Sequence, residues 1–449
     1  MSARARRRAT GALVIVGAIA SAARASANPL DTFGFGSRGT ALGGATSADV
    51  KDFSANYYNP AGLALAHGVE LSLGYFRADH ALEINGKDNH VDPVKGLVGG
   101  LVVPGKLLGI PFAFGLALHL PDDRISRVRA LRQEQPRWEL YDNRNQRLYL
   151  ATNVAVSPFE WLQIGGGLSF MSSTEGRLDI SGSADVTQPE HSELRHEVDA
   201  NLTAIRYPQA GIRVALSPRV ALSAVYRGEF KLKLDLKARL HGDIEGLTTA
   251  LYDLETHSVN AFLPQQLVFG GSWLLTDDLR ANLDATWVNW SAYVAPVAKL
   301  DVTLDIPPPQ GGWPASITPP TTPAPQHIVP IVMHDRVVPH LGVEWRAVHR
   351  ATWEAFARAG YEYAKSPIAA QTGVTNYVDR DRHSVSFGIG ARLLAPLREL
   401  PGDVRFDAHV QYSDLRKATT TKADPSDFVG DYTADGHIWN VGLTATVGF

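Results

Sequence analysis

From about residue 68 to residue 449 the chain alternates apolar and polar side chains with period two, the pattern of strands whose two faces meet different surroundings. The last run sets Trp439, Val441, Leu443, Ala445, Val447 and Phe449 on one face, against Asn440, Gly442, Thr444, Thr446 and Gly448 on the other. Phe230, Leu232, Leu234, Leu236 and Leu240 likewise interleave with Glu229, Lys231, Lys233, Asp235, Lys237 and Arg239. Fourteen runs can be placed, beginning near Gly68, Pro93, Pro111, Gln146, Trp161, Thr203, Arg219, Leu263, Asp278, His334, Ala351, Arg380, Gly402 and Thr433. After the first run the links go long, short, long, short to the end. Seven long ones lie near 85–92, 121–145, 181–195, 241–262, 295–333, 366–379 and 418–432, and six short ones include "PGKLLGI" (104–110), "SPFE" (157–160) and "LTDD" (275–278).

This asymmetry of link length has a physical meaning. An outer-membrane barrel has an even number of strands, tight turns below and long loops above. Only helices and closed barrels satisfy every backbone hydrogen bond in lipid, and a barrel crosses with ~9 to 11 tilted residues per strand. The pattern therefore predicts an all-β fold, a 14-stranded antiparallel transmembrane β-barrel over residues 68–449. A secreted array of β-sandwiches would share the alternation but gives no reason for the links to alternate.

Residues 1–27 read as a cleaved signal peptide, with five arginines, no acid, an apolar run over 11–20 and small residues at Ala25, Ser26 and Ala27. The run is shorter than the ~20 residues a spanning helix needs. Removing the leader takes five of the 43 basic residues and none of the 46 acidic ones, leaving 38 against 46 in a mature chain of 422 residues. Such an exported, mildly acidic chain is ill suited to nucleic acid. Cysteine is absent, which excludes a disulfide scaffold, thiol catalysis and thiolate metal sites. The expected location is the outer membrane of a Gram-negative bacterium, as an integral protein.

Residues 28–67 are rich in Gly, Ala and Ser yet carry Phe33, Phe35, Phe53, Tyr57 and Tyr58. Small residues permit close backbone packing and aromatics suit no flexible linker, so the block reads as an N-terminal hatch, or plug, inside the barrel lumen. Asn59-Pro60 reads as a tight turn at its end.

These residues resemble the FadL-type outer-membrane transporters of long-chain fatty acids, whose relatives take up aromatic hydrocarbons. The likeness lies in the leader, the small-residue hatch and the motif Asn59-Pro60-Ala61, followed by "LPQQLVFGGSWLLTDDLRANLDATWVNWS" (263–291) and "SPIAAQTGVTNYVDRDRHSVSFGIG" (366–390). The resemblance implies passive uptake of a hydrophobic molecule, by capture at extracellular loops, transfer to a lumen pocket and diffusion gated by the hatch, through the lumen or sideways through the wall. It implies no enzyme activity, no cofactor and no metal. Asn59, Pro60 and Ala61 are then the gating motif, with Phe53, Tyr57 and Tyr58 as candidate ligand contacts. Expected partners are a fatty acid or hydrocarbon, outer-membrane lipid and lipopolysaccharide, and the barrel assembly machinery through the terminal Phe449, the chain acting as a monomer.

Two loops supply a candidate extracellular capture groove. Ile244, Leu247, Leu251 and Leu254 fall at the spacing of one helical face, as do Ile125, Val128 and Leu131 among Arg124, Arg127, Arg129 and Arg132. Loop-on-loop packing would use the same stripes. Three motifs carry less. The Pro-rich stretch 307–325 is irregular loop, "DRDRH" (379–383) is a rim charge cluster before it is a calcium site, and Gly165, Gly166 and Gly167 lie in a strand with no helix to present a phosphate. A general porin would want an open polar lumen, and a lipid hydrolase a Ser/His/acid set that no local pattern singles out.

Overall fold

The computed structural model describes residues 29–123, 134–141, 148–184, 193–244, 248–293, 299–312, 329, 331–394 and 402–449. Fourteen strands form the ring: β1 (Glu70–Ile84), β2 (Val94–Leu107), β3 (Ile110–Pro121), β4 (Tyr149–Phe159), β5 (Leu162–Ala184), β6 (Glu193–Ser217), β7 (Val220–Arg227), β8 (Gln266–Leu274), β9 (Leu279–Val288), β10 (Arg336–His349), β11 (Trp353–Ala364), β12 (Arg382–Leu393), β13 (Val404–Thr420) and β14 (Tyr432–Gly448). Each pairs antiparallel with the next, and β1 meets β14 from Glu70 opposite Gly448 to Ile84 opposite Ala434, which closes the barrel. No strand edge is left to lipid, so the ladder satisfies the backbone internally.

The alternation sorts the side chains. On β14, Trp439, Val441 and Leu443 are exposed on the outer face, whereas Asn440, Thr444 and Thr446 are buried inside. Leu73, Phe269, Leu283, Phe387 and Ile389 continue the apolar outer surface around the ring. Aromatic residues mark its two rims, with Phe159 stacked on Trp161 near the short turns and Tyr412 beside Trp439 toward the long loops.

Beyond the barrel the structure departs from the sequence expectation. β5 and β6 have 23 and 25 residues, far more than one crossing needs, and their outer halves pair beyond it. The segments Phe230–Ile244 and Thr248–Leu263 form a further hairpin. Phe230–Ile244 runs parallel to the outer half of β5, while Thr248–Leu263 pairs with Lys299–Asp305. The alternation over 229–240 therefore belongs to this outer sheet, not to a lipid crossing. The helical stripe is also corrected. Ile244 ends one strand, and Leu251 and Leu254 lie in the next, so these residues share no helix. Leu247, Ile125, Val128 and Leu131 lie outside the described residues.

Three short helices, α1 (Pro29–Phe33), α2 (Ser37–Ala41) and α3 (Ala55–Tyr58), and a 3-10 helix (Pro60–Leu65) precede β1. They sit inside the ring, touching wall after wall: Phe33 meets Phe76 of β1, Asn56 meets Asn153 of β4, Ser47 meets Ser223 of β7 and Ser37 meets Thr444 of β14. Glycine makes the space. A Cβ on Gly211 of β6 would lie 2.0 Å from Asn59 Oδ1, and one on Gly360 of β11 would lie 2.1 Å from Gly43 N. The apolar core joins this lumen segment to the inner face of the wall: Phe35, Phe53 and Tyr57 pack together, and Phe35 and Tyr57 pack against Tyr149 of β4.

Candidate functional site

Asn59 links the lumen segment to the wall. As the residue before proline it is held extended, at φ −161° and ψ 106°, which ends α3 and opens the 3-10 helix with Pro60 in its first turn. Its Oδ1 accepts from Ala61 N at 3.0 Å, and its Nδ2 donates to Ser47 O at 2.7 Å and Ile212 O at 3.3 Å. The motif is thus a helix cap tied to β6, where the sequence read a tight turn. Beside it, the carbonyl of Asn56 accepts from Gln209 Nε2 at 2.6 Å.

Two cavities flank the segment. On the long-loop side a pocket of about 80 Å³ is lined by Leu30, Tyr57, Tyr58, Val268, Val288, Val338 and Trp290, together with Asp31, Arg227, Arg336, His340, Glu362 and Arg382. On the short-turn side a vestibule of about 500 Å³ is lined by Arg38, Asp49, Lys51, Arg280, Glu344, Arg358, Arg405 and Asp407. Tyr57 and Tyr58 lie at the pocket. Phe53 does not; it packs on Phe35, with ring centres 5.1 Å apart, and faces Gly100 of β2.

Polar groups in the pocket are ordered by buried pairs. The Arg227 guanidinium lies 4.4 Å over the Tyr57 ring, and its Nε donates to Tyr57 O at 3.0 Å. Asp31 accepts from the Tyr57 hydroxyl and, at 2.7 Å, from Gln266 Nε2. Arg382 pairs with Glu362, and Arg336 donates to Lys365 O at 2.9 Å. Among the described residues, Nε of Arg336, Nε of Arg382 and Nε1 of Trp290 are buried without a protein hydrogen-bond partner. The "DRDRH" run is dispersed: Asp381 takes the Tyr363 hydroxyl, Arg380 reaches Ala418 O, and Arg382 turns inward, so no paired-carboxylate site forms. Sequence reasoning missed Arg227, Arg336 and the wall glycines, because their roles arise between strands far apart in the chain.

A closed barrel with an apolar outer face, and a small-residue segment packed in its lumen between a pocket of mixed lining and a charged vestibule, is the architecture of an outer-membrane β-barrel protein. The family model described as "Outer membrane protein transport protein (OMPP1/FadL/TodX)" matches residues 16–449, and the chain belongs to that family. Among solved structures it is similar to a Pseudomonas aeruginosa FadL homologue, at 16% identity over 92% of this chain and 98% of that one, with a TM-score of 0.57. It is also similar to the P. putida toluene transporter TodX, at 14% identity over 93% and 99%, with a TM-score of 0.53. No curated protein sequence matches the chain.

Proposed function

We propose that this channel takes up hydrophobic molecules that end in an acidic head, long-chain fatty acids first among them, by capture at its outer loops, transfer to the pocket and passive passage beyond the lumen segment. The carrying observation is the pocket's mixed lining. Leu30, Tyr57, Val268 and Val338 offer apolar wall, while Arg336 and Arg382 each bring a buried Nε–H that has no acceptor among the described residues. A carboxylate supplies the missing acceptor, and a charge-assisted bond of that kind is stronger than a neutral one. A filled lumen argues against a general porin.

The second reading, uptake of aromatic hydrocarbons, draws on size. About 80 Å³ is well below the ~300 to 1,000 Å³ of sites for drug-sized ligands, so a single ring suits the closed pocket better than an extended chain. Binding of a labelled fatty acid and of a labelled aromatic hydrocarbon to the purified protein separates the two. Arg336→Met should weaken the acid and leave the hydrocarbon unchanged. Equal affinity of wild type and variant for the acid would reject the acidic-head reading.

A further inference from the structure

Asp284 of β9 is 2% exposed and faces the barrel interior, where a bare carboxylate is costly. Glu139, Glu354 and Glu362 are buried nearly as deeply, and each pairs with an arginine. Among the described residues Asp284 has no such partner. One of its oxygens, Oδ2, accepts from Thr46 N at 3.1 Å and Ser47 N at 2.9 Å, while Oδ1 has no hydrogen-bond partner among the described residues. His340, directly opposite on β10, turns Nδ1 to Gly43 O at 2.8 Å and Nε2 to Thr286 Oγ1 at 3.3 Å instead.

Gly270 of β8 shows what surrounds the free oxygen. In register it stands between Ser223 of β7 and Asp284. A Cβ on it would lie 2.0 Å from Ser47 Oγ, 2.3 Å from Asp284 Oδ1 and 2.8 Å from Ser223 Oγ. Three oxygens, one from the lumen segment and two from the wall, therefore converge on the room this glycine leaves. The two hydroxyls are 2.7 Å apart, within hydrogen-bond reach of each other. Asn282, two residues before Asp284 and on the same inner face of β9, is buried with neither amide atom bonded among the described residues, and Thr46 Oγ1, beside Ser47 in the chain, is buried in the same condition. Buried polar atoms left this way are costly unless something meets them.

The donor set says what would. Carboxylate, hydroxyl and amide oxygens are hard ligands, suited to alkali and alkaline-earth cations. Ordered water would meet the hydrogen bonds but not the charge. One carboxylate balances one positive charge, which favours a monovalent ion over calcium, whose sites are tuned by ligand charge count.

We propose that Asp284 Oδ1, Ser47 Oγ and Ser223 Oγ, with the side-chain oxygens of Asn282 and Thr46, form a site for a monovalent cation of sodium's size, which bridges the lumen segment to β7 and β9. The site is separate from uptake and holds whether the channel carries acids or hydrocarbons.

An ion that binds only the packed lumen segment protects that segment by mass action. Trypsin cleavage of the full-length protein after Arg38 and Lys51 reads this, with sodium chloride titrated against choline chloride at constant ionic strength. Protection should grow roughly tenfold by the time sodium reaches ten times its dissociation constant. Asp284→Asn should abolish the dependence, whatever the absolute protection of the variant, and Gly270→Ala, whose methyl takes the room, should do the same. Should neither assemble, Ser223→Ala removes one wall oxygen and should move the titration to higher sodium. Wild-type protection indifferent to sodium would overturn the site: growth as pH falls would then make a proton the occupant, and indifference to both would make it ordered water. A response to calcium alone would overturn the monovalent assignment, and a sodium titration unchanged in the variants would place the ion elsewhere.

Discussion

The side-chain amide of Asn59 donates to the backbone carbonyl of Ser47 at 2.7 Å, joining two parts of the lumen segment that lie 12 residues apart. The same nitrogen reaches Ile212 O on β6 at 3.3 Å, so one side chain ties the loop, the 3-10 helix and the barrel wall together.

Asn59→Ala should therefore loosen the lumen segment and spare the barrel, since residue 59 lies outside the fourteen strands. The groups left without partners cost about 1 to 3 kcal/mol each. Asn59→Asp should be worse, because it keeps the acceptor for Ala61 N but sets a carboxylate against two carbonyls. Heat-modifiable gel mobility reports the barrel, and trypsin cleavage after Arg38 and Lys51 reports the segment. Unchanged protection at both sites would reduce Asn59 to an ordinary turn residue.

A steric version of the same test uses Gly211→Ala, whose new Cβ would lie 2.0 Å from Asn59 Oδ1. Overpacking of this sort costs about 1 to 3 kcal/mol. The variant should show the trypsin pattern of Asn59→Ala, whereas Gly166→Ala, whose nearest neighbour would be 3.1 Å away, should be milder. Identical behaviour of the two glycines would deny that the wall is shaped to Asn59.

Leu443 and Thr444 are neighbours with opposite surroundings. Leu443 is exposed on the outer face, and arginine there should cost about 2 to 4 kcal/mol near the midplane and hinder assembly. Thr444 is buried, and its hydroxyl lies 3.1 Å from both N and Oγ of Ser37. Thr444→Arg should assemble a barrel from which the start of the lumen segment is displaced. Gel mobility and proteolysis in parallel check this, and loss of the folded band in both variants would contradict it.

That pair shows what the sequence discloses. Period two separates Leu443 from Thr444 because lipid and lumen select opposite side chains, and the same rule, with link lengths, made fourteen strands and the sense of the barrel legible. Alternation marks Thr444 as polar-facing but is silent on whether something packs there. For the same reason Gly165 reads as a weak strand residue, while in the fold it gives Pro60 and Ala61 their space. Arg227, Arg336 and Arg382 meet at one pocket from three strands, and no local spacing records such a meeting. Leu251 and Leu254 misled because a few apolar residues at helical intervals also fit a hairpin, and pairing with Phe230–Ile244 decides for strand.

The loop after β11 supplies a pH-dependent prediction. Tyr377–Val378 pairs with Arg137–Trp138, through Arg137 N to Asn376 O at 3.2 Å and Glu139 N to Val378 O at 3.3 Å. Asp379 follows directly and is only 4% exposed. Burial pushes its carboxyl above the usual range, against the opposing pull of Arg336. A carboxyl raised in the docked loop binds its proton more tightly there than in the undocked chain, whose value is near 3.9. Its contribution to docking is then full below that value and is lost as pH rises through the higher docked one. Exchange protection of the Arg137 and Glu139 amides, corrected for intrinsic rates, should therefore grow as pH falls through the range above 4. Asp379→Asn should hold the acid-level protection at neutral pH and flatten the dependence. A variant that keeps the wild-type slope would show that Asp379 is not the titrating group.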